Sequence, residues 1–216
     1  MSNITNKNRP LIAREGWKFV LFFVSISLLS LFLNTYIPAI LFFLLAISIG
    51  AFFRDPKRET PQTAGSIIAP ADGKIILLQK DIENKISLGI FLSPLDVHIN
   101  RSPVSGKIRE IKYSKGNFIA AYKDDSSEIN EKNTIEIETD SGDNFSVIQI
   151  AGFIARRIVC WKKMGDDIKK GERFGLIQFG SRTDLIIPPG YEPCVSIGDR
   201  VRGGETIVAK SVSISS

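Results

Sequence analysis

The sequence is short of the residues that build metal and disulfide sites. Of its 216 residues two are cysteine, Cys160 and Cys194, and one is histidine, His98. Two cysteines so far apart form neither a Cys-x-x-Cys pair for zinc or redox work nor a disulfide framework. A single histidine excludes a His-rich metal site, so no metal is expected. Positive charge spread along the chain is missing too. The net charge is +5, and Lys7, Arg9, Arg14 and Lys18 against Glu15 put +3 of it in the first 18 residues. The near balance of the rest argues against a nucleic-acid partner, which would be held by neutralising phosphates.

Charge is absent altogether from Phe19 to Phe53, a run of 35 residues. As one helix it would far exceed the ~30 Å hydrocarbon core of a bilayer. Asn34-Thr35-Tyr36-Ile37-Pro38 divides it into two apolar arms, Trp17–Leu33 and Ile40–Phe53, which is the pattern of a helical hairpin. The run is too long for a signal peptide, although one shallow anchor would fit the same composition. Arg14 and Lys18 before the run, and Arg54, Lys57 and Arg58 after it, favour placing both ends on the cytoplasmic side of the cell membrane. The expected organisation is a basic N-terminus (1–18), a membrane-anchoring hairpin (19–53) and a domain that carries the chemistry (54–216).

Beyond residue 65 short apolar runs alternate with Gly, Pro, Asp and Asn, and each predicts a strand: Gly65–Leu78, Ile86–Leu92, Val104–Tyr113, Thr134–Thr139 and Phe145–Ile150. Asp140-Ser141-Gly142-Asp143 turns the last two into a hairpin. Phe118–Asn130 has no strand pattern and is expected to be a mobile flap. Two segments repeat at an offset of 33: Pro70-Ala71-Asp72-Gly73-Lys74-Ile75 as Pro103-Val104-Ser105-Gly106-Lys107-Ile108, and Gly165–Glu172 as Gly198–Glu205. Duplicated units at fixed spacing, with turns like those of biotinyl/lipoyl-like domains, predict a mainly β barrel-sandwich behind the helical hairpin. That architecture also serves membrane-anchored adaptors that catalyse nothing, so the fold does not decide function.

Three residues could together form an activated nucleophile. Ser181 follows Gly180 between two apolar stretches. His98 has the side chain suited to proton transfer near neutrality, and Asp72 is an acid in a turn. Each has a plain structural alternative: a turn serine, a satisfied histidine, a turn-forming Asp-Gly. Ala69–Lys74, Phe91–Arg101 with Pro103, Ile150–Ile158, Arg173–Gly175 and Phe179–Arg182, in this order, resemble the phosphatidylserine decarboxylase family in its short, pyruvoyl-dependent form.

The resemblance implies a proenzyme that cuts itself between Gly180 and Ser181 into a large chain, 1–180, and a small chain, 181–216, which stay associated. Residue 181 would become a pyruvoyl group that forms a Schiff base with the substrate amine. His98 and Asp72 would serve as the base, and glycine at 180 would let the backbone bend for attack. Longer members carry a second histidine where this chain has Arg101, so here one histidine serves both steps or Asp72 and a water share the work. The residue after the serine is Arg182, not the threonine of the longer forms. The implied substrate is phosphatidylserine in the membrane, giving phosphatidylethanolamine. Arg156 and Arg157 are candidates for its phosphate or carboxylate, although neighbours on a strand point to opposite faces. A related serine lipid is an alternative substrate, and a homo-oligomer is compatible with all of this.

Overall fold

The computed structural model describes residues 10–116, 130–152, 157–178 and 181–212, and the chain divides into two compact units, 1–57 and 58–216. The first is the helical hairpin, α1 (Arg14–Phe32) and α2 (Tyr36–Phe52). The turn passes through Asn34 in the left-handed region, φ 57°, a conformation asparagine tolerates. The second arm was expected to begin after Pro38, but the helix begins at Tyr36. Pro38 lies in its first turn, where no backbone N–H is needed. Ser27 Oγ donates to the Ala39 carbonyl at 2.8 Å and joins the two helices. A Cβ on Gly16 would lie 2.6 Å from the Phe53 ring, so glycine there permits close packing. Leu21, Phe22, Leu28, Ile37, Leu41 and Phe43 are among the large apolar side chains left exposed, and helices apolar all round suit a bilayer. α1 is long and apolar enough to cross one; α2, at 17 residues, is shorter.

The second unit is almost wholly β. Its strands are β1 (Ser66–Ile68), β2 (Gly73–Lys80), β3 (Ile86–Leu92), β4 (Ile99–Arg101), β5 (Gly106–Ser114), β6 (Lys132–Glu138), β7 (Asn144–Ala151), β8 (Arg157–Cys160), β9 (Asp167–Ile168), β10 (Arg173–Gln178), β11 (Ser181–Ile187), β12 (Tyr191–Pro193), β13 (Arg200–Val201) and β14 (Ile207–Ser211). Eight form a curled, half-barrel sheet in the order β13-β2-β3-β11-β7-β6-β5-β9, and two three-stranded sheets, β1-β14-β12 and β4-β10-β8, complete the sandwich. Period-two burial fills it: Ile75, Leu88, Ile90, Ile108, Ile135, Ile137, Phe145, Val147, Phe174 and Leu185 form one core. The expected mainly β sandwich with a helical hairpin is what the structure has. Of the expected flap only Asn130 lies within the described residues. It is buried and donates from Nδ2 to the Ala151 carbonyl at 2.7 Å.

The repeats are structural. Gly165 and Gly198 donate to the Ile108 and Ile75 carbonyls, and Ile108 and Ile75 donate to those of Asp166 and Asp199. Lys170 N–H donates to Ser105 Oγ at 2.9 Å, and Gly203 N–H to Asp72 Oδ1 at 2.8 Å. Each pair is offset by 33, and β2 and β5 carry matching bulges at Ile75/Leu77 and Ile108/Glu110. The wide sheet is therefore a pseudo-twofold duplication that exchanges β13 with β9, β2 with β5, β3 with β6, and β11 with β7.

Candidate active site

Ser181 is the first residue of β11, a central strand of the wide sheet, opposite Leu92 of β3 on one side and Ala151 of β7 on the other. It is fully buried, and its Oγ has no hydrogen-bond partner among the described residues. A buried hydroxyl without a partner is costly, by about 1–3 kcal/mol, and calls for an explanation. Ser181 shares its face of the strand with Thr183, Leu185 and Ile187, of which the last two belong to the core.

His98 stands just before β4 and is 2 % exposed. Its Nδ1 lies 2.9 Å from the Asp96 backbone carbonyl. A carbonyl only accepts, so Nδ1 carries the hydrogen and, in the neutral ring, Nε2 is the basic nitrogen. The loop is braced by the Asp96 carboxylate, which accepts the Ser93 N–H at 2.8 Å and pairs with Arg200. Across the sandwich, Asn100 of β4 donates from Nδ2 to Thr183 Oγ1 at 3.1 Å. His98 and Ser181 each stand two residues before a member of that bond.

Asp72 precedes β2. Its carboxylate accepts from Arg58 at 2.7 and 3.0 Å and from the Gly203 N–H at 2.8 Å. Arg58 also reaches Glu205 at 3.2 Å. Burial pushes the Asp72 pKa up, against the pull of Arg58 and the Gly203 N–H, and the nearby Asp96 adds to the rise. On the other face of β11, Arg182 Nε donates to Asp184 at 2.6 Å, and both are buried. Burial raises the Asp184 pKa although Arg182 opposes it. Gly89 makes room for this pair, since a Cβ there would lie 3.0 Å from each of them.

Arg157 is exposed at the start of β8, opposite Gln178. Arg156, Phe179 and Gly180 lie outside the described residues. Among the described residues no three His, Cys, Asp or Glu side chains are grouped to hold a metal ion. Sequence reasoning read Arg58 only as a basic flank of the apolar run and missed its pairing with Asp72; it also missed Asn133, Gln149 and Asn100, which lead by hydrogen bonds to Thr183. Asn100 lies inside the segment that carried the resemblance, but an asparagine gives no chemical signal of its own.

Comparison with known proteins gives the family. A family model described as phosphatidylserine decarboxylase matches residues 45–209. A phosphatidylserine decarboxylase proenzyme of Symbiobacterium thermophilum is 41% identical over 213 residues, 96% of this chain and 99% of its own. Those of Nitrosomonas europaea and Desulfotalea psychrophila are each 41% identical, over 93% of this chain and 95% and 97% of theirs. The chain is therefore an enzyme, which removes the adaptor alternative. It belongs to the phosphatidylserine decarboxylase family.

Proposed function

We propose that the protein decarboxylates phosphatidylserine to phosphatidylethanolamine and carbon dioxide in phospholipid biosynthesis, at the cytoplasmic face of the cell membrane, after cutting itself between Gly180 and Ser181. The observation that carries this is the buried Ser181 Oγ, without a hydrogen-bond partner among the described residues, at the start of a strand gripped on both sides. An ordinary structural serine would spend that hydroxyl on a hydrogen bond. A nucleophile is kept from doing so.

In the cut, Ser181 Oγ attacks the Gly180 carbonyl while His98 Nε2 takes its proton. Asp72 supplies negative charge that favours the resulting imidazolium. The peptide nitrogen leaves as an amine and an ester remains. Elimination releases Gly180 as the carboxylate end of the large chain and leaves dehydroalanine at 181. Water then enters and ammonia departs, which leaves a pyruvoyl group on the small chain. Residue 181 suits that group: it is fully buried, and its side chain has no hydrogen bond to keep among the described residues. The group supplies an electron-withdrawing carbonyl that draws off the electron pair freed as carbon dioxide leaves. His98, on its braced loop, holds the proton to be returned to the product. Arg156 and Arg157 bind the lipid's phosphate or carboxylate.

The small chain stays with the large one because it supplies β11 at the middle of the wide sheet, together with Leu185, Ile187, Val201, Val208 and Ala209 of the core. The hairpin of residues 19–53 keeps the catalytic domain, 54–216, where the substrate's headgroups lie, since drawing a diacyl lipid into water costs about 0.8 kcal/mol per CH₂. Intact mass spectrometry tests the reading. Wild-type protein should give fragments 1–180 and 181–216, the smaller blocked at its N-terminus, and Ser181→Ala one uncut chain. A folded wild-type protein found as a single chain refutes it.

A further inference from the structure

Resting on that self-cleavage, we infer that a buried amide relay, Asn133–Gln149–Asn100–Thr183, is the tie that holds residue 181 in place once the chain has been cut. Before the cut, β11 is joined through residues 179 and 180 to β10, which lies in the small sheet with β4. The cut removes that link and turns residue 181 into a chain terminus, and free termini fray unless tied down. The relay joins the same two sheets again without a covalent bond.

Its geometry is directional. Asn133 Nδ2 donates to Gln149 Oε1 at 2.9 Å, Gln149 Nε2 to Asn100 Oδ1 at 2.8 Å, and Asn100 Nδ2 to Thr183 Oγ1 at 3.1 Å. Asn133, Gln149 and Thr183 lie opposite one another on β6, β7 and β11, and Asn100 reaches them from β4. All four are buried, none more than 3 % exposed. The passage is kept open by Gly175 of β10, where a Cβ would stand 3.0 Å from Gln149 Nε2 and 2.2 Å from the Val159 carbonyl oxygen.

The duplication provides an internal control. The next row on the same face, Ile135–Val147–Leu185, is apolar core. The pseudo-twofold that exchanges β3 with β6 and β7 with β11 turns the polar row into Ile86, Ile187 and Phe145, all core residues. This layer of the sandwich thus packs without polar groups when no reactive residue lies beside it. Buried polar side chains replace apolar ones only in the row next to Ser181, where a fixed direction matters more than packing.

The test compares Thr183→Val, which keeps the shape and loses the acceptor, with Thr183→Ser, which keeps the acceptor. Each is made in the self-cutting chain and in the uncut Ser181→Ala chain. Amide hydrogen exchange of residues 182–185, which keep their N–H groups in both the cut and the uncut chain, is measured, along with kcat and KM on phosphatidylserine vesicles. In cut Thr183→Val we expect exchange faster by roughly tenfold or more with little change in the uncut chain, a kcat about tenfold lower at unchanged KM, and recovery of both in Thr183→Ser. Equal loosening of cut and uncut chains would reduce the relay to ordinary packing, and unchanged exchange and kcat would remove its role; either overturns the proposal. A wild-type protein that mass spectrometry finds uncut overturns instead the self-cleavage on which it rests. Asn100→Ala, which deletes the donor to Thr183, repeats the comparison should the valine variant not fold.

Discussion

Asp72 can be separated from its structural duty because the duplication shows what that duty is. Its counterpart Ser105 accepts the Lys170 N–H just as Asp72 accepts that of Gly203. Asp72→Ser should therefore keep the turn and remove only the carboxylate. Breaking a buried ion pair costs about 3–5 kcal/mol when it strands a charge. Here the Asp72 side chain is 14 % exposed and Arg58 keeps Glu205 at 3.2 Å, so the loss should be smaller, about 1–2 kcal/mol. Against a typical stability of about 5–15 kcal/mol, the variant stays folded. If its charge supports the His98 imidazolium during the cut, self-cleavage should also slow by roughly tenfold, equivalent to about 1.4 kcal/mol of lost charge–charge interaction, because the Asp96 carbonyl and not Asp72 orients the ring. The assay pairs the urea midpoint with the cleaved fraction over time in newly made protein. A variant that loses the expected 1–2 kcal/mol yet cuts at the wild-type rate refutes the argument and leaves Asp72 a turn residue held by Arg58.

Two further predictions concern charge. The raised pKa of Asp184 means that, between the ordinary carboxylate range and its own higher value, the folded chain holds a proton that the unfolded chain has released. Its contribution to stability is full below that window and is lost as pH rises through it. In the uncut Ser181→Ala background, urea midpoints across the acid range should show this falling component in the parent and lack it in Asp184→Asn; parallel pH profiles would dismiss it. For the arginines, Arg156→Ala and Arg157→Ala should mature normally and raise KM for phosphatidylserine vesicles in at least one case, and the contact is ruled out if both bind substrate as the parent does.

What was legible in the sequence follows from how locally each feature is encoded. The hairpin is written in 35 consecutive uncharged residues, and the duplication in turns that need glycine, as at Gly165 and Gly198 with φ 91° and 99°. Only the helix start escaped, because a proline reads as a break although the first turn accepts it. Ser181 and His98 could be named as candidates by chemical type. The relay and the pairing of Arg58 could not. Asn133, Gln149, Asn100 and Thr183 come from four separate strands, and Arg58 meets Glu205 across 147 positions, so their partnership exists only once the sheets are stacked.

The two halves of the duplication also argue for where the chemistry belongs. The twofold that pairs β11 with β7 matches Ser181, opposite Leu92, with Asp143, opposite Thr139. At Asp143 the strand start is closed. Its N–H bonds Thr139 Oγ1 at 3.1 Å, its carbonyl accepts the Thr139 N–H at 2.9 Å, and its carboxylate accepts from Ser141 and Tyr191 at 2.8 and 3.0 Å. At Ser181 the side chain has no partner among the described residues, and the row beside it has exchanged apolar residues for the relay. A scaffold that satisfies this position in one copy gives it no partner among the described residues in the other, which sets the hydroxyl of Ser181 apart from its counterpart. On the proposed self-cleavage it marks the copy in which the strand start becomes the reacting group, with Asp72 in place of the serine of the other repeat and His98 on the loop that follows β3.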